Sequence, residues 1–433
     1  MFTRTATQRL HRLARGFPVV VLTGPRQSGK TTLARSAMPG HTYVSLEDPD
    51  VRQRVAADPR GFLAAHAGAA TSGVVLDEAQ RVPELLSYLQ TTVDEDRRPG
   101  RYIVTGSQNL LLSAAISQSL AGRAGFLELL PLSYTEGAAV FDKLSLDELL
   151  VLGTYPAIHS TDVEPADWHA SYVASYLERD VRQLSRIGDL LQFQRFMRMM
   201  AARCGQLLNL NAVANDLGVA QTTARDWLGI LEATYVAFRL APYHTNFGKR
   251  LVKTPKLYFQ DTGLAAWLLG ITDARTMNSH PMRGALFENL CIADCMKHLR
   301  HTGAAATPYF WRDNIGNEVD LLIESAGTLQ PVEFKSGATF QPDWLRALHN
   351  WQRHAAQARQ GEALLVCGAP GNHRIQGVGV AHWRDALQVL SGGSGHQGPA
   401  TYPSSANRLP RTSGLTNPRA AAEPTRLLGG DCG

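Results

Sequence analysis

The sequence has few cysteines and lacks any long uninterrupted apolar run. Its five cysteines have no paired spacing, and Cys291 and Cys295 have no His or Cys partners that would complete a metal set. This usage argues against a disulfide scaffold and favours free thiols in a reducing cytoplasm. Because no apolar segment approaches the length needed to span a bilayer, we expect no membrane association and a cytoplasmic protein.

Charged residues make up only 19% of the chain, and the formal net charge is +5. Part of that charge lies in the C-terminal tail, so the balance does not by itself indicate nucleic-acid binding. Several early arginines precede an apolar stretch, as they do in a signal peptide. That stretch is short and runs directly into a glycine-rich loop, so we predict that it is a core strand.

The length of 433 residues predicts two or three domains. Short apolar runs alternate with helical patterns to about residue 135, the pattern is then helical to about 240, and an α+β pattern returns from about 283. Gly, Ser and Pro dominate the last segment. We therefore predict an α/β domain at 1–137, a helical domain at 138–275, an α+β domain at 276–390 and a disordered tail at 391–433.

The first domain is predicted to contain a buried parallel sheet, because its candidate strands are continuous apolar runs separated by helical segments. The candidate strands are Val19–Thr23, Thr42–Ser45, Val74–Asp77, Tyr102–Thr105 and Phe126–Leu130.

A phosphate-binding loop of the pattern G-x-x-x-x-G-K-[ST] follows the first candidate strand and precedes a helical segment, the order that the motif requires. Its glycines let backbone N–H groups surround a polyphosphate, and the helix N-terminus adds a positive field. Lys30 is expected to reach the outer phosphates, and Thr31 to bind Mg²⁺. An ordinary Gly-rich turn is the alternative. The predicted ATP-binding residues are Gly24, Pro25, Arg26, Gln27, Ser28, Gly29, Lys30, Thr31 and Thr32.

Polar residues at the ends of other strands complete a predicted ATP hydrolase. Asp77 would hold the magnesium shell, and Glu78 would orient or deprotonate the attacking water. Ser107 or Gln108 could contact the γ-phosphate or that water. Arg123 is a candidate arginine finger, acting within its own chain or on a neighbouring copy in a homo-oligomer, and an ordinary salt-bridged arginine is the alternative.

These motifs resemble a bacterial and archaeal family of predicted ATPases of the AAA+ superfamily that carry a C-terminal domain of unknown function. The resemblance covers roughly residues 10–390 and implies a P-loop AAA-type domain, while leaving the output of ATP turnover open. The matching segments are GPRQSGKTTL, VSLEDPD, VVLDEAQ, IVTGSQ, SLAGR with LPLS, YLERDV, LGILEATYVAFRLAPY, KLYFQDTGLAAWLLG and GALFENL.

A helix-turn-helix pattern lies within the helical domain, with Gly218 at the turn and the second helix at Gln221–Leu231. Tyr235–Leu240 and Lys256–Gln260 could supply the strands of a wing. Contact with DNA through that second helix is one interpretation. An interdomain or oligomerisation scaffold is the other. The candidate DNA-contacting residues are Gln221, Thr222, Thr223 and Arg225, with Lys249, Arg250, Lys253 and Lys256 in the wing.

Two candidate strands follow the helix Ala285–His298 in the C-terminal domain. Asp320 lies in the first strand, and Glu333 and Lys335 share one face of the second. This layout resembles the PD-(D/E)XK nuclease superfamily. Asp320 and Glu333 could chelate Mg²⁺, Lys335 could polarise the attacking water or the scissile phosphate, and Glu288 would complete the acidic cluster. The alternative is a degenerate fold that keeps these residues as a buried ion-pair network or a binding site.

The sequence thus predicts an ATP-hydrolysing switch that acts on DNA or on a protein partner through its C-terminal modules. Two further functions stay open. One is a Mg²⁺-dependent nuclease gated by ATP, and the other is a nucleotide-gated DNA-binding regulator without nuclease activity.

Overall fold

The computed structural model describes residues 1–66, 72–106, 120–176, 181, 189–243, 253–356 and 358–392. The described residues belong to one compact unit. Ser107 and Gln108, the wing residues Lys249 and Arg250, and nearly all of the tail predicted at 391–433 lie outside the described residues.

A parallel five-stranded sheet forms the N-terminal part, as the apolar runs predicted. The strands lie in the order β2-β3-β4-β1-β5, and every adjacent pair is parallel. The strands are β1 Val19–Thr23, β2 His41–Ser45, β3 Gly73–Asp77, β4 Tyr102–Gly106 and β5 Ala124–Glu128.

Helices cover both faces of this sheet, which is why its central strands are apolar on both sides. Val20 and Leu22 point into a core shared with α1 and α2, whereas Val19 and Val21 point into a core shared with α3 to α5. The helices are α1 Ala6–Gly16, α2 Lys30–Ala37, α3 Pro49–Ala57, α4 Pro59–Ala65 and α5 Glu84–Glu95.

The middle part is mainly helical, and a two-stranded antiparallel hairpin follows its helix-turn-helix. The hairpin consists of β6 Ala237–Leu240 and β7 Lys256–Phe259. The helices are α6 Tyr134–Phe141, α7 Leu146–Leu152, α8 Pro165–Tyr176, α9 Leu190–Ala201, α10 Leu210–Leu217, α11 Gln221–Ala233, α12 Thr262–Leu268 and α13 Ala274–Ser279.

The C-terminal part places one long helix against a mixed six-stranded sheet of order β12-β13-β11-β10-β9-β8. Strands β8, β9 and β10 are antiparallel neighbours, whereas β10 and β11 are parallel. Its elements are α14 Arg283–Thr302, β8 Ala306–Arg312, β9 Glu318–Ser325, β10 Thr328–Lys335, α15 Arg346–His354, β11 Leu364–Cys367, β12 His373–Ile375, β13 Val378–His382 and α16 Trp383–Gly392.

The predicted α/β, helical and α+β succession is confirmed, while the exact domain boundaries stay predictions. The cysteines that the structure describes, Cys204, Cys291, Cys295 and Cys367, are buried free thiols. Among the described residues, no helix combines the length and the apolar character that crossing a bilayer requires.

Candidate functional site

The phosphate loop joins the carboxyl end of β1 to the first turn of α2, which begins at Lys30. A Cβ at Gly24 would lie 2.1 Å from the carbonyl oxygen of Leu129, so only glycine fits there. Gly29 has a φ of 92°, in the left-handed region, and Gln27 has a φ of 59° without being glycine. Uncommon backbone at such a loop is typical of a preorganised ligand site.

Lys30 lies folded over this loop with only 6% of its surface exposed. Its Nζ donates hydrogen bonds to the carbonyl oxygens of Gly24 at 3.0 Å and Pro25 at 2.7 Å. Since both acceptors belong to the loop itself, the ammonium group already lies at the position where the loop would surround phosphates.

Thr31 and Asp77 lie side by side at the carboxyl edge of the sheet. The Thr31 hydroxyl donates to both carboxylate oxygens of Asp77, at 3.1 and 3.0 Å. Asp77 is buried and also accepts from the hydroxyl of Tyr43 at 2.7 Å and from that of Thr105. Hydroxyl and carboxylate oxygens are the ligands that Mg²⁺ prefers, so this pair fits the predicted metal.

Glu78 follows directly and has left-handed backbone, with a φ of 57°. Its N–H donates to the Thr105 hydroxyl at 3.2 Å, and its carboxylate accepts from the amide of Gln80. The turn therefore separates the directions of two consecutive carboxylates, so that Asp77 faces Thr31 while Glu78 is held by Gln80.

Burial and the Asp77 carboxylate raise the pKa of the Tyr43 hydroxyl to about 12, so this group stays a hydrogen-bond donor across the physiological range. Sequence reasoning missed Tyr43 and Thr105 as parts of the site. The end of β4 was recognised as polar, and a threonine inside that apolar run was the available signal for Thr105.

Arg123 lies at the amino-terminal end of the strands, whereas the phosphate loop lies at their carboxyl-terminal end. It precedes β5, whose first residue pairs with Val19 at the start of β1, whereas the loop follows the end of β1. A strand of five residues separates its two ends by about 13 Å. Arg123 instead forms a bidentate ion pair with Asp94, with both N–O distances 2.7 Å. In this structure Arg123 is a salt-bridged arginine away from the phosphate loop of its own chain, and its role as an arginine finger stays a prediction.

A cavity of about 340 Å³ lies beside the first turn of α2. Its lining includes Gly29, Thr32 and Leu33 from the loop and helix, together with Phe2 and Leu132. The predicted ATP-binding residue Thr32 therefore faces a pocket of mixed polar and apolar lining, next to the loop, and Lys30 is not among the residues that line it.

Arg4 connects the loop to the rest of the molecule and was not predicted as a site residue. It donates to the carbonyl oxygens of Ser28 and Leu130, both at 2.7 Å, and pairs with Glu136 at 3.2 Å. Glu136 in turn lies 3.2 Å from His301, near the end of α14. A buried polar chain thus runs from the phosphate loop to the C-terminal helix.

The helix-turn-helix presents part of its second helix, α11, to solvent. Gln221, Thr222 and Arg225 are exposed, and Thr223 is half-buried. Ala220 provides no side-chain hydrogen bond to cap the helix. This module also reaches the nucleotide site, because the Tyr235 hydroxyl donates to that of Thr23 at 3.0 Å, one residue before the loop.

Of the lysines assigned to the wing, Lys253 is exposed, but Lys256 is buried and 2% exposed. The expectation that Lys256 serves a DNA-contacting wing is wrong, because its ammonium pairs with Glu288 at 2.9 Å and Glu318 at 2.5 Å. Burial would lower the pKa of Lys256, but these carboxylates and Asp320 outweigh it and raise the pKa.

Asp320 and Glu333 lie on the adjacent antiparallel strands β9 and β10. The pairing between these strands ends at Leu321 and Val332. Asp320 and Glu333 are the residues next to this last pair, at the point where the two strands separate. Asp320 accepts from the backbone N–H of Phe334 at 2.9 Å. Lys335 pairs with one oxygen of Glu333 at 2.6 Å, so the predicted set is brought together.

Charge crowding shifts the titration of this cluster. Burial and the Asp320 charge raise the pKa of Glu333 to about 8, against the attraction of Lys335. The same two causes raise the pKa of Glu288 to about 7, against the attraction of Lys256. Tyr258 donates a further hydrogen bond to Glu288 at 2.5 Å.

Within the described part of the chain, no three His, Cys, Asp or Glu side chains converge as a metal site. Glu288 was expected to complete an acidic metal cluster, but in the structure it is paired with Lys256 and Tyr258. In the structure the carboxylates of Glu288 and Glu333 form ion pairs with Lys256 and Lys335, and the assignment of this set as a metal site stays a prediction.

Three family models match the chain. Residues 16–138 match an AAA domain. Residues 143–275 match a domain of unknown function, DUF8612, and residues 283–384 match another, DUF4143.

Two curated relatives are the uncharacterized proteins Rv2008c of Mycobacterium tuberculosis and Mb2031c of Mycobacterium bovis. Each is 35% identical over 397 residues, which span 90% of this chain and 85% of the relative. Among solved structures, a Walker-type ATPase of Pyrococcus abyssi is 14% identical with a TM-score of 0.44, covering 62% of this chain and 96% of that one. AMPPCP-bound DnaA from Aquifex aeolicus is 14% identical with a TM-score of 0.28, covering 52% and 85%.

Proposed function

The chain belongs to the same family as these two mycobacterial proteins and carries a P-loop AAA domain. We propose that it hydrolyses ATP with Mg²⁺ and that this hydrolysis is coupled to its C-terminal modules. The observation that carries the proposal is the convergence of Lys30, Thr31, Asp77 and Glu78 at one edge of the parallel sheet. The output is directed at DNA or at a protein partner.

Each of these residues has a distinct task. Lys30 exchanges the carbonyl oxygens of Gly24 and Pro25 for the phosphate oxygens of ATP. Thr31 and Asp77 would hold Mg²⁺, which neutralises charge on the phosphates when bound. Glu78 is released from Gln80 and orients or deprotonates the attacking water. The neighbouring 340 Å³ cavity, with Phe2 and Leu132 in its wall, would accept the base and ribose.

The hydrolytic role of Glu78 is tested by Glu78→Gln, with Glu84→Gln on the exposed start of α5 as the matched control. A missing general base lowers turnover by about 10²–10⁴-fold, so we expect that loss with nucleotide affinity nearly unchanged. Steady-state phosphate release and equilibrium binding are measured on the same preparations. Turnover by Glu78→Gln equal to that of Glu84→Gln would remove Glu78 from the mechanism.

A second function, a Mg²⁺-dependent nuclease, is supported by the element order α14-β8-β9-β10-α15-β11 with Asp320, Glu333 and Lys335 at the parting of β9 and β10. In it, Asp320 and Glu333 would hold the metal and Lys335 would polarise the water or the scissile phosphate. Nicking of plasmid DNA that disappears in Asp320→Ala and in Lys335→Ala is the expected result. Cleavage that survives both changes would exclude it.

A further inference from the structure

We infer that the C-terminal acidic cluster holds either the ammonium group of Lys256 or a divalent cation, so that Lys256 acts as a tethered internal cation that keeps the metal out. This inference rests on the second proposed function, the Mg²⁺ site at Asp320 and Glu333. Lys256 then controls access to that site, and its ammonium group competes with the metal for the carboxylates.

The position of the ammonium group supports the inference. Its distances to carboxylate oxygens are 2.5 Å for Glu318, 2.9 Å for Glu288 and 4.0 Å for Asp320. The centroid of the Phe310 ring lies 5.6 Å from Nζ. The ammonium group thus neutralises the carboxylates of Glu318 and Glu288, with Asp320 farther away, and a divalent cation would compete with it for the same oxygens.

One buried carboxylate oxygen of the proposed metal site is available as a ligand for the divalent cation. Glu333 is only 5% exposed, and its Oε2 has no hydrogen-bond partner among the described residues. A buried acceptor without a partner carries a desolvation cost, which a coordinated cation would offset. Asp320 connects the two parts of the cluster, since one of its oxygens lies 4.0 Å from Lys256 Nζ and the other accepts from the backbone N–H of Phe334, the residue after Glu333.

Lys256 comes from a different module than the carboxylates that surround it. It begins β7, and hydrogen bonds from Leu208 N–H to Pro255 O at 2.9 Å and from Gly205 N–H to Leu257 O at 2.8 Å join this segment to the connection between α9 and α10 in the middle module. Glu288 lies on α14, and Glu318 and Asp320 lie on β9. A shift of the middle module relative to α14 and β9 would therefore decide which cation the cluster contains.

The test uses the full chain without nucleotide and measures Mn²⁺ binding by electron paramagnetic resonance. Replacing Lys256 alone would leave carboxylates unpaired, so the variant is the charge-balanced pair Lys256→Met with Glu318→Gln. We expect it to bind about one Mn²⁺ per chain more than the wild type, and to lose that ion when Asp320→Asn is added. Lys253→Met, at an exposed lysine three residues earlier, should behave like the wild type.

A folded double variant that gains no Mn²⁺, or a wild type that binds the ion equally well, would overturn the inference. If the double variant does not fold, acylation of the wild-type lysines followed by mass spectrometry decides instead. Competition predicts that Mn²⁺ increases labelling of Lys256 in the wild type and not in Asp320→Asn, while labelling of Lys253 stays constant. Labelling of Lys256 that ignores Mn²⁺ would contradict it. Neither readout uses DNA, so metal binding without cleavage would remove only the nuclease function.

Discussion

Glu136 shows at the scale of a single residue how buried charge is stabilised beside the phosphate loop. Its side chain is 1% exposed and lies between Arg4 and His301. Burial opposes its ionisation, but His301, Arg4 and the backbone N–H of Ser133 outweigh that cost and lower the pKa of Glu136 to about 2. The backbone N–H of Thr5 adds a hydrogen bond at 2.8 Å.

This residue gives a pH-dependent prediction. Because the pKa of Glu136 in the folded state lies below its ordinary value of 4.5, the carboxylate stabilises the fold fully above pH 4.5 and loses this effect as the pH falls toward 2. We expect Glu136→Gln to lower the free energy of unfolding at pH 7 by about 3 kcal/mol. This difference between the wild type and the variant should become smaller below pH 4.5.

Urea unfolding at several pH values measures the difference in free energy of unfolding between the wild type and Glu136→Gln. The control is Glu164→Gln, at an exposed position, whose free energy of unfolding should lie within about 0.5 kcal/mol of the wild type. A difference in free energy of unfolding at pH 7 that is equally large at acid pH would contradict the assignment of charge to Glu136.

At the scale of elements, the strands that carry the nucleotide site could be predicted from the sequence. The candidate strand Val19–Thr23 matches β1 residue for residue, and the candidate ending at Asp77 differs from β3 by a single residue at its start. Continuous apolar runs identify strands that are buried on both faces, and the loop motif fixes which strand comes first. The helix predicted at 285–298 is likewise the interior of α14.

The contacts between elements could not be predicted in the same way. Nothing local to Lys256 distinguishes it from the exposed Lys253, because its partners Glu288 and Glu318 are distant in sequence and meet it only through the tertiary fold. Arg123 is a further case, since its motif context suggested the nucleotide while the parallel register places it at the other end of the strands from the phosphate loop. Spacing constrains local geometry, whereas these charge pairs depend on how sheets and helices pack.

The helix α11 carries a prediction of its own, on the interpretation that it contacts DNA. Arg225 is exposed on this helix, so Arg225→Ala should weaken DNA binding and reduce its dependence on salt by about one phosphate contact. Arg275→Ala, at an exposed arginine outside this helix, is the matched control. Fluorescence anisotropy with duplex DNA at several salt concentrations measures both. Binding by Arg225→Ala equal to the control would favour the scaffold interpretation.

At the scale of the whole molecule, α14 connects the nucleotide site to the acidic cluster. His301 near its end accepts a hydrogen bond from the backbone N–H of Leu130 at 3.0 Å, and Glu288 near its start binds Lys256. The two residues are 13 positions apart, which corresponds to about 20 Å along the helix. Through Arg4 and Glu136, a displacement of the phosphate loop would reach this helix along contiguous buried contacts, which is the physical route we propose for the output of ATP turnover.

The central claim is that the loop at Gly24–Thr32 binds ATP through Lys30. Equilibrium titration of the full chain with a fluorescent, non-hydrolysable ATP analogue in Mg²⁺ tests it most directly, comparing the wild type, Lys30→Ala and the control Lys143→Ala at an exposed lysine. We predict saturable binding by the wild type and the control, and loss of binding by Lys30→Ala. Wild-type affinity in a folded Lys30→Ala protein, or no binding by the wild type, would contradict the account.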